Sequence, residues 1–207
     1  MKNASLLVSK NLYTALCLFL MMSITGCVPK AGSIFQVSYL PPMDLEHVDK
    51  DDLLPLEGIP VEVTTITDGR SNDSTISVDT NPLRVEGALT ILAQDALNDA
   101  LKAAETSPCS DQCFSISGVL KDWSMNVKSD LPLSTARAHV HLELTVTSSP
   151  GYQVGAMPRE LIIKASGSSQ REHPFLDEQV MADVYGEAMN EAALGAIEQL
   201  AEKLKSS

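Results

Sequence analysis

Hydrophobic and polar positions follow two periods along this chain. Between Ala136 and Val146, Ala138, Val140, Leu142, Leu144 and Val146 face one way and His139, His141, Glu143 and Thr145 the other. A period of two with one apolar face is the signature of a half-buried strand. Val61–Thr67 alternates in the same way and is rich in β-branched residues. Phe114–Leu120, continuing toward Trp123, Met125 and Val127, predicts another strand, and Leu161–Ala165 a fourth before the polar Ser166–Ser169 run. The other period is helical. Asn81-Pro82 reads as a cap and first-turn proline, followed by Val85, Leu89, Leu92, Ala93, Ala96, Leu97, Ala100, Leu101 and Ala104 on one stripe. That helix should end before Pro108. Asp177 is the expected cap of a second helix whose stripe is Val180, Val184, Ala188, Ala192, Ala196, Leu200 and Leu204. Gly186 and Gly195 interrupt it at a cost of up to about 1 kcal/mol each relative to alanine. Close packing of this helix on the sheet would account for both.

The predicted order is β-α-β-β-β-α. Strands with one wet face need cover on the other, so the expected fold is α+β, a two-layer sandwich. An antiparallel or mixed sheet of about four strands would carry two helices on one face. This single domain should span 59–205. Before it, 27–58 reads as a tether with one extended piece, Ser33–Leu40, stopped by Pro41-Pro42. The acidic stretch that follows sets Asp44, Glu46, Asp49, Asp51 and Asp52 against Lys50, a composition suited to solvent.

The N-terminal pattern is different again. Lys2 and Lys10 precede an uncharged run from Asn11 to Pro29 with an apolar centre at Ala15–Met22. That is the layout of a secretory signal. It closes on Ile24-Thr25-Gly26-Cys27, an aliphatic residue, two small residues and a cysteine, as in bacterial lipoproteins. The resemblance implies a signal peptide over 1–26, cleavage between Gly26 and Cys27, a diacylglyceryl thioether on Cys27 and acylation of its new amine, with palmitate as an expected fatty acid. An uncleaved spanning anchor is the competing reading, since about 20 apolar residues cross a bilayer, but Gly26 and Pro29 interrupt the run. Two or more acyl chains anchor stably where one does not. Val28 follows the cysteine rather than the aspartate associated with inner-membrane retention. The expected location is therefore the outer membrane, facing the periplasm.

Charge and cysteines narrow the classes. The full chain carries a formal charge of −12, and loss of Lys2 and Lys10 makes it −14 over 181 residues. Such a surface argues against nucleic acid as a partner and against broad docking on anionic lipid. Aromatic residues make up only 4%, too few for a large sugar-stacking cleft. With Cys17 in the signal and Cys27 lipidated, Cys109 and Cys113 remain, in Cys-Ser-Asp-Gln-Cys. In an oxidising compartment the pair reads as a disulfide. A metal half-site would want two further ligands, and a redox pair the CxxC spacing.

Candidate chemistry is sparse. His139, His141 and Glu143 share one strand face at spacings that suit zinc or copper, although an ordinary polar face is the simpler reading, with His173 the one further histidine in reach. Asp68 and Arg70 flank Gly69 at a strand end, as a site or as a turn. No nucleophile elbow, phosphate loop or nucleotide fingerprint occurs. Trp123 is the single tryptophan, expected in the core rather than as an exposed partner anchor. No cofactor is expected.

With the elements laid out, the chain resembles the YajG-type family of outer-membrane lipoproteins. The likeness lies in the extended Ser33–Pro41 piece, the Val-rich strand ending in Asp68-Gly69-Arg70, the Ile116-Ser117-Gly118 strand opening and the closing alanine-rich helix. Cys109 and Cys113 stand outside that pattern. The resemblance implies a non-enzymatic envelope protein and carries no catalytic residue over. Two functions are expected to compete: a lipid-tethered module that docks on an envelope protein, and an accessory lipoprotein that binds a lipid, glycan or solute for an ABC-type transport system. An enclosed apolar cavity would favour the second, a filled core the first.

Overall fold

Three long strands form the centre of the molecule, in a computed structural model that describes residues 34–37, 40–45, 48, 50–70, 74–78, 81–86, 88–129 and 132–206. In chain order the elements are β1 (Ile34–Gln36), α1 (Lys50–Leu53), a 3-10 turn (Leu54–Leu56), β2 (Val61–Asp68), β3 (Ser74–Val78), β4 (Asn81–Glu86), α2 (Leu89–Ala103), β5 (Phe114–Lys128), β6 (Ser134–Ser148), β7 (Glu160–His173) and α3 (Glu178–Lys205). The expected α+β sandwich is what forms. Its sheet is mixed, and three short strands, β1, β3 and β4, extend the four that periodicity predicts.

β5, β6 and β7 make an antiparallel meander, with Trp123 opposite Val140 and Leu142 opposite Ala165. On the other side of β5 two strands lie end to end. β2 runs parallel to its first half, Val61 beside Phe114, and β3 runs parallel to its second half, Val78 beside Val127. The β3–β4 hairpin and then β1 complete that edge. One face of the sheet is apolar. Ile116, Leu120, Trp123, Met125, Ala138, Val140, Leu142, Leu144, Ile163 and Ala165 are all buried, under α2 and α3, which also pack on each other. At roughly 1.5–3 kcal/mol per large buried side chain, this face is the main source of stability.

An aromatic pair packs between β5 and α3. The Trp123 and Tyr185 rings stack at 4.6 Å with their planes 12° apart. Trp123 Nε1 donates to the Tyr185 carbonyl at 2.9 Å, and the Tyr185 hydroxyl donates to the Trp123 carbonyl. Each ring thus buries its polar atom with a partner. Trp123 is core, as expected. Asp177 caps α3, its carboxylate accepting from the Val180 amide at 2.8 Å.

Several expectations are corrected. Asn81-Pro82 caps no helix. Both lie in β4, paired with Val78 and Ser77, and Val85 pairs with Phe35 in the sheet. Pro82 is tolerated because β1 pairs only with residues 84–86 of β4, so the proline lies beyond that register. α2 begins at Leu89 after Ala88, without a side-chain cap. Ser74 opens β3, a strand the periodicity does not predict. The Ser166–Ser169 run is inside β7, which continues to His173. The glycine that allows helix–sheet packing is Gly167 in β7, where a Cβ would sit 2.1 Å from the Ala188 carbonyl oxygen. Gly186 instead makes room for Pro41, and Gly195 has nothing within 4 Å of its missing Cβ.

The tether is corrected for its described part. Val37, Leu53 and Leu56 are buried in the core. Asn190, on α3, donates to the Pro41 carbonyl at 2.9 Å. The described residues of 37–56 therefore form a strap across the helix layer, with Asp44, Asp51 and Asp52 exposed to solvent.

Candidate interaction surface

The polar face of the sheet lies opposite the helices. Its register sets Ser124, His139 and Ser168 side by side, then Asp122, His141 and Ser166, then Val119, Glu143 and Lys164. His141 Nδ1 lies 3.0 Å from the Ser166 hydroxyl. Glu143 faces two ammonium groups, Lys121 and Lys164, each at 3.6 Å. Arg137 donates twice to Gln170 Oε1, at 2.9 and 2.5 Å. Strand pairing thus directs these side chains into cross-strand contacts rather than toward a common point. His139, His141 and Glu143 share a face as predicted, but the structure does not gather them into a metal-ligating cluster. His173 is engaged elsewhere: its Nδ1 accepts from the Phe175 amide at 3.2 Å, at the end of β7.

The acid–thiol group that does come together, among the described residues, is Glu62 with Cys109 and Cys113. The two sulfurs are bonded to each other at 2.00 Å, with Cα atoms 5.4 Å apart, so neither offers a thiolate to a metal. The bridge closes the loop just before β5. Cys113 N donates to the Ser149 hydroxyl and Ser149 N to the Cys113 carbonyl, both at 3.0 Å. Phe114 meets Tyr152 edge to face at 5.2 Å. The disulfide thus closes the loop, while the Cys113 and Phe114 contacts tie the start of β5 to the β6–β7 connection.

Asp68 and Arg70 close on each other. Arg70 donates from Nε and Nη2 to the two Asp68 oxygens at 2.9 and 2.6 Å, and from its amide at 3.1 Å. This fork holds the Asp68 carboxyl below its ordinary pKa, against an opposing contribution from burial. The turn reading of this pair fits its geometry, since the carboxylate is used locally to order the exit from β2.

Sequence reading missed two open grooves among the described residues: one of about 690 Å³ along α2, with Leu40, Val61, Leu92 and Asp95 in its walls, and one of about 640 Å³ between the strap, α3 and β7. In the second, Pro42, Met43, Val48 and Leu194 supply the apolar part, and Asp44, Glu187, Glu191 and Glu198 the acidic part. Glu191 accepts from the Ser168 amide and Glu187 from the Ser169 hydroxyl, both at 2.7 Å. Arg171 adds ion pairs to Asp183 and Glu187. Burial, with repulsion from Asp52, pushes the Glu198 carboxyl above its ordinary pKa. The only sequence hint is Asn190, a polar residue on the apolar stripe side of α3. It is buried because it holds the strap.

Chemically, these surfaces offer charged and hydrogen-bonding groups for binding. The His141–Ser166 contact would need a third group to orient the imidazole, and among the described residues no hydrogen bond links a carboxylate to His141. Gly26, Cys27 and the whole segment 1–33 lie outside the described residues. No described helix is long and apolar enough to cross a membrane.

No protein-family model matches the chain, and no curated protein sequence matches it. Among solved structures, a DUF330-family protein from Xanthomonas campestris superposes with a TM-score of 0.52 over 84% of this chain and 98% of that one, at 11% identity. The two proteins share a fold. At that identity the likeness extends to architecture alone. A candidate lipoprotein from Caulobacter crescentus CB15 aligns more loosely, with a TM-score of 0.33 and 14% identity over 76% of this chain and 92% of that one, and carries no conclusion.

Proposed function

We propose that this protein is a lipid-anchored, non-enzymatic module of the bacterial cell envelope, held at the outer membrane through Cys27 and working by docking on an envelope protein. The anchor rests on the Ile24–Cys27 signature. The preference for docking over carriage rests on the interior. An envelope domain that carries a lipid or solute needs an enclosed apolar cavity, whereas here the Trp123–Tyr185 stack and the Gly167 contact pack β5 and β7 closely against α3. The reading places function on the exterior, where the polar sheet face, the strap groove and the groove along α2 are open to a partner. An accessory role in a transport assembly is compatible with this reading as a docking role, not as a carrier.

A photocrosslinker at His139, exposed in the middle of the sheet face, tests the docking. In intact cells it should give one discrete protein adduct, absent from a probe at exposed Glu202 on α3. Repeated absence of any adduct from the sheet face and from the groove at Met43 would remove the docking function. Stoichiometric lipid co-purifying with the Cys27→Ser protein would favour a carrier instead.

A further inference from the structure

If Cys27 carries the lipid, the strand register decides which end of the molecule can face the bilayer. β1 runs parallel to β4, with Ile34 beside Arg84. Arg84 in turn lies beside Ser74, and β3 runs parallel to β5 with Ile76 beside Met125. Ile34 therefore enters the sheet about level with Trp123, and the chain runs from there away from the Lys128 end of β5. Its N-terminal direction points toward that end.

Chain length sharpens the choice. Seven residues, 27–33, separate the lipid site from β1, and fully extended they reach about 25 Å. The Lys128 end of β5 is five residues from Trp123, about 17 Å along a strand. The Phe114 end is nine residues away, about 30 Å, with the disulfide loop beyond it. The first end is within reach of the lipid and the second is not.

The reachable end carries exposed apolar side chains. Leu133 precedes β6 and Phe175 follows β7, and the strands meet there through the Ser134–His173 pair. Leu133 is 40% and Phe175 50% exposed. Both sit in loops, where no packing requirement of the fold holds an apolar residue at the surface, and an aromatic ring suits the headgroup–acyl boundary.

We infer that the sheet end where Leu133 leads into β6 and Phe175 follows β7 faces the membrane, with Phe175 and Leu133 inserted into the lipid interface. This rests on the Cys27 reading proposed above. It turns the molecule so that the disulfide end points away from the bilayer and the polar sheet face stands roughly along the membrane normal, open to a partner from the side.

Tryptophan depth quenching tests it. The lipidated protein is reconstituted into phosphatidylethanolamine–phosphatidylglycerol vesicles containing lipid brominated near the headgroup. Trp123 is fully buried and gives a constant background. Separate Phe175→Trp and Leu133→Trp variants place a probe at the proposed contact, and Arg159→Trp, at an exposed position in the β6–β7 connection, probes the far end. The expected result is blue-shifted emission and several-fold stronger quenching at 175 and 133 than at 159. Equal quenching at all three, or stronger quenching at 159, overturns the orientation while leaving the anchor intact. Absence of quenching at 175 and 133 in protein whose mass shows the lipid also overturns it, and assigns the apolar pair to a protein partner. A mass that lacks the lipid removes the anchor reading and this inference together.

Discussion

Glycines separate a tight contact from an idle one. At Gly167 a Cβ would meet Ala188 O at 2.1 Å and Ala192 N at 2.4 Å, backbone atoms that cannot turn aside. Gly167→Ala should destabilise the fold by about 3 kcal/mol, read from the midpoint of urea unfolding. Gly195→Ala meets nothing within 4 Å and should stabilise α3 by up to about 1 kcal/mol. Equal effects at the two positions would contradict the packing described for β7 and α3. Glu198 offers a pH test. Burial and Asp52 raise its pKa, so the folded state holds the proton more tightly than the unfolded chain does. That contribution favours folding at low pH and is lost as pH rises through the folded value, leaving a penalty at neutral pH. Glu198→Gln should melt about 1 °C above the wild type at neutral pH, and the gap should close below about pH 4. A gap that widens in acid would reverse the assigned sign.

At the scale of elements, the strap is the part of the structure that sequence periodicity hides. Leu53 and Leu56 stand among acids with no repeating partner, so they carry no helical or strand pattern; their burial comes from tertiary contact with α3. Leu56→Ala should therefore cost about 2–5 kcal/mol, where a residue in a solvated tether would cost under about 0.5 kcal/mol. Urea unfolding decides between them. The same reasoning explains what is legible. β6 and α3 have long patterns whose apolar faces can be read directly, from Ala138 through Val146 and from Val184 through Leu200, and β5 is legible on either side of its irregularity between Leu120 and Asp122. β3 and β4 are five and six residues long, and Asn81-Pro82 imitates a helix start so closely that local chemistry alone points the wrong way. Pairing with β5 and β1 overrides it. Of the candidate site residues, Asp68 and Arg70 are legible as a turn and Trp123 as core. The strap groove is hidden because its walls come from residues 42–48, 166–169 and 187–198, which no local pattern links.

For the whole molecule, the sheet does two jobs with its two faces. One is sealed by α2, α3 and the strap, and the other presents paired polar side chains to the surroundings. What the exposed face can touch depends on where the domain is held. The fold it shares with the Xanthomonas campestris protein concerns architecture and leaves the anchor to be tested on this chain. The most direct measurement is the intact mass of the mature protein extracted from membranes, beside that of Cys27→Ser. The wild-type chain should begin at Cys27 with diacylglyceryl and acyl groups attached, and the variant should retain its signal and lack them. A wild-type chain of unmodified mass, or a Cys27→Ser protein that matures and stays on the membrane as the wild type does, would contradict the lipid anchor.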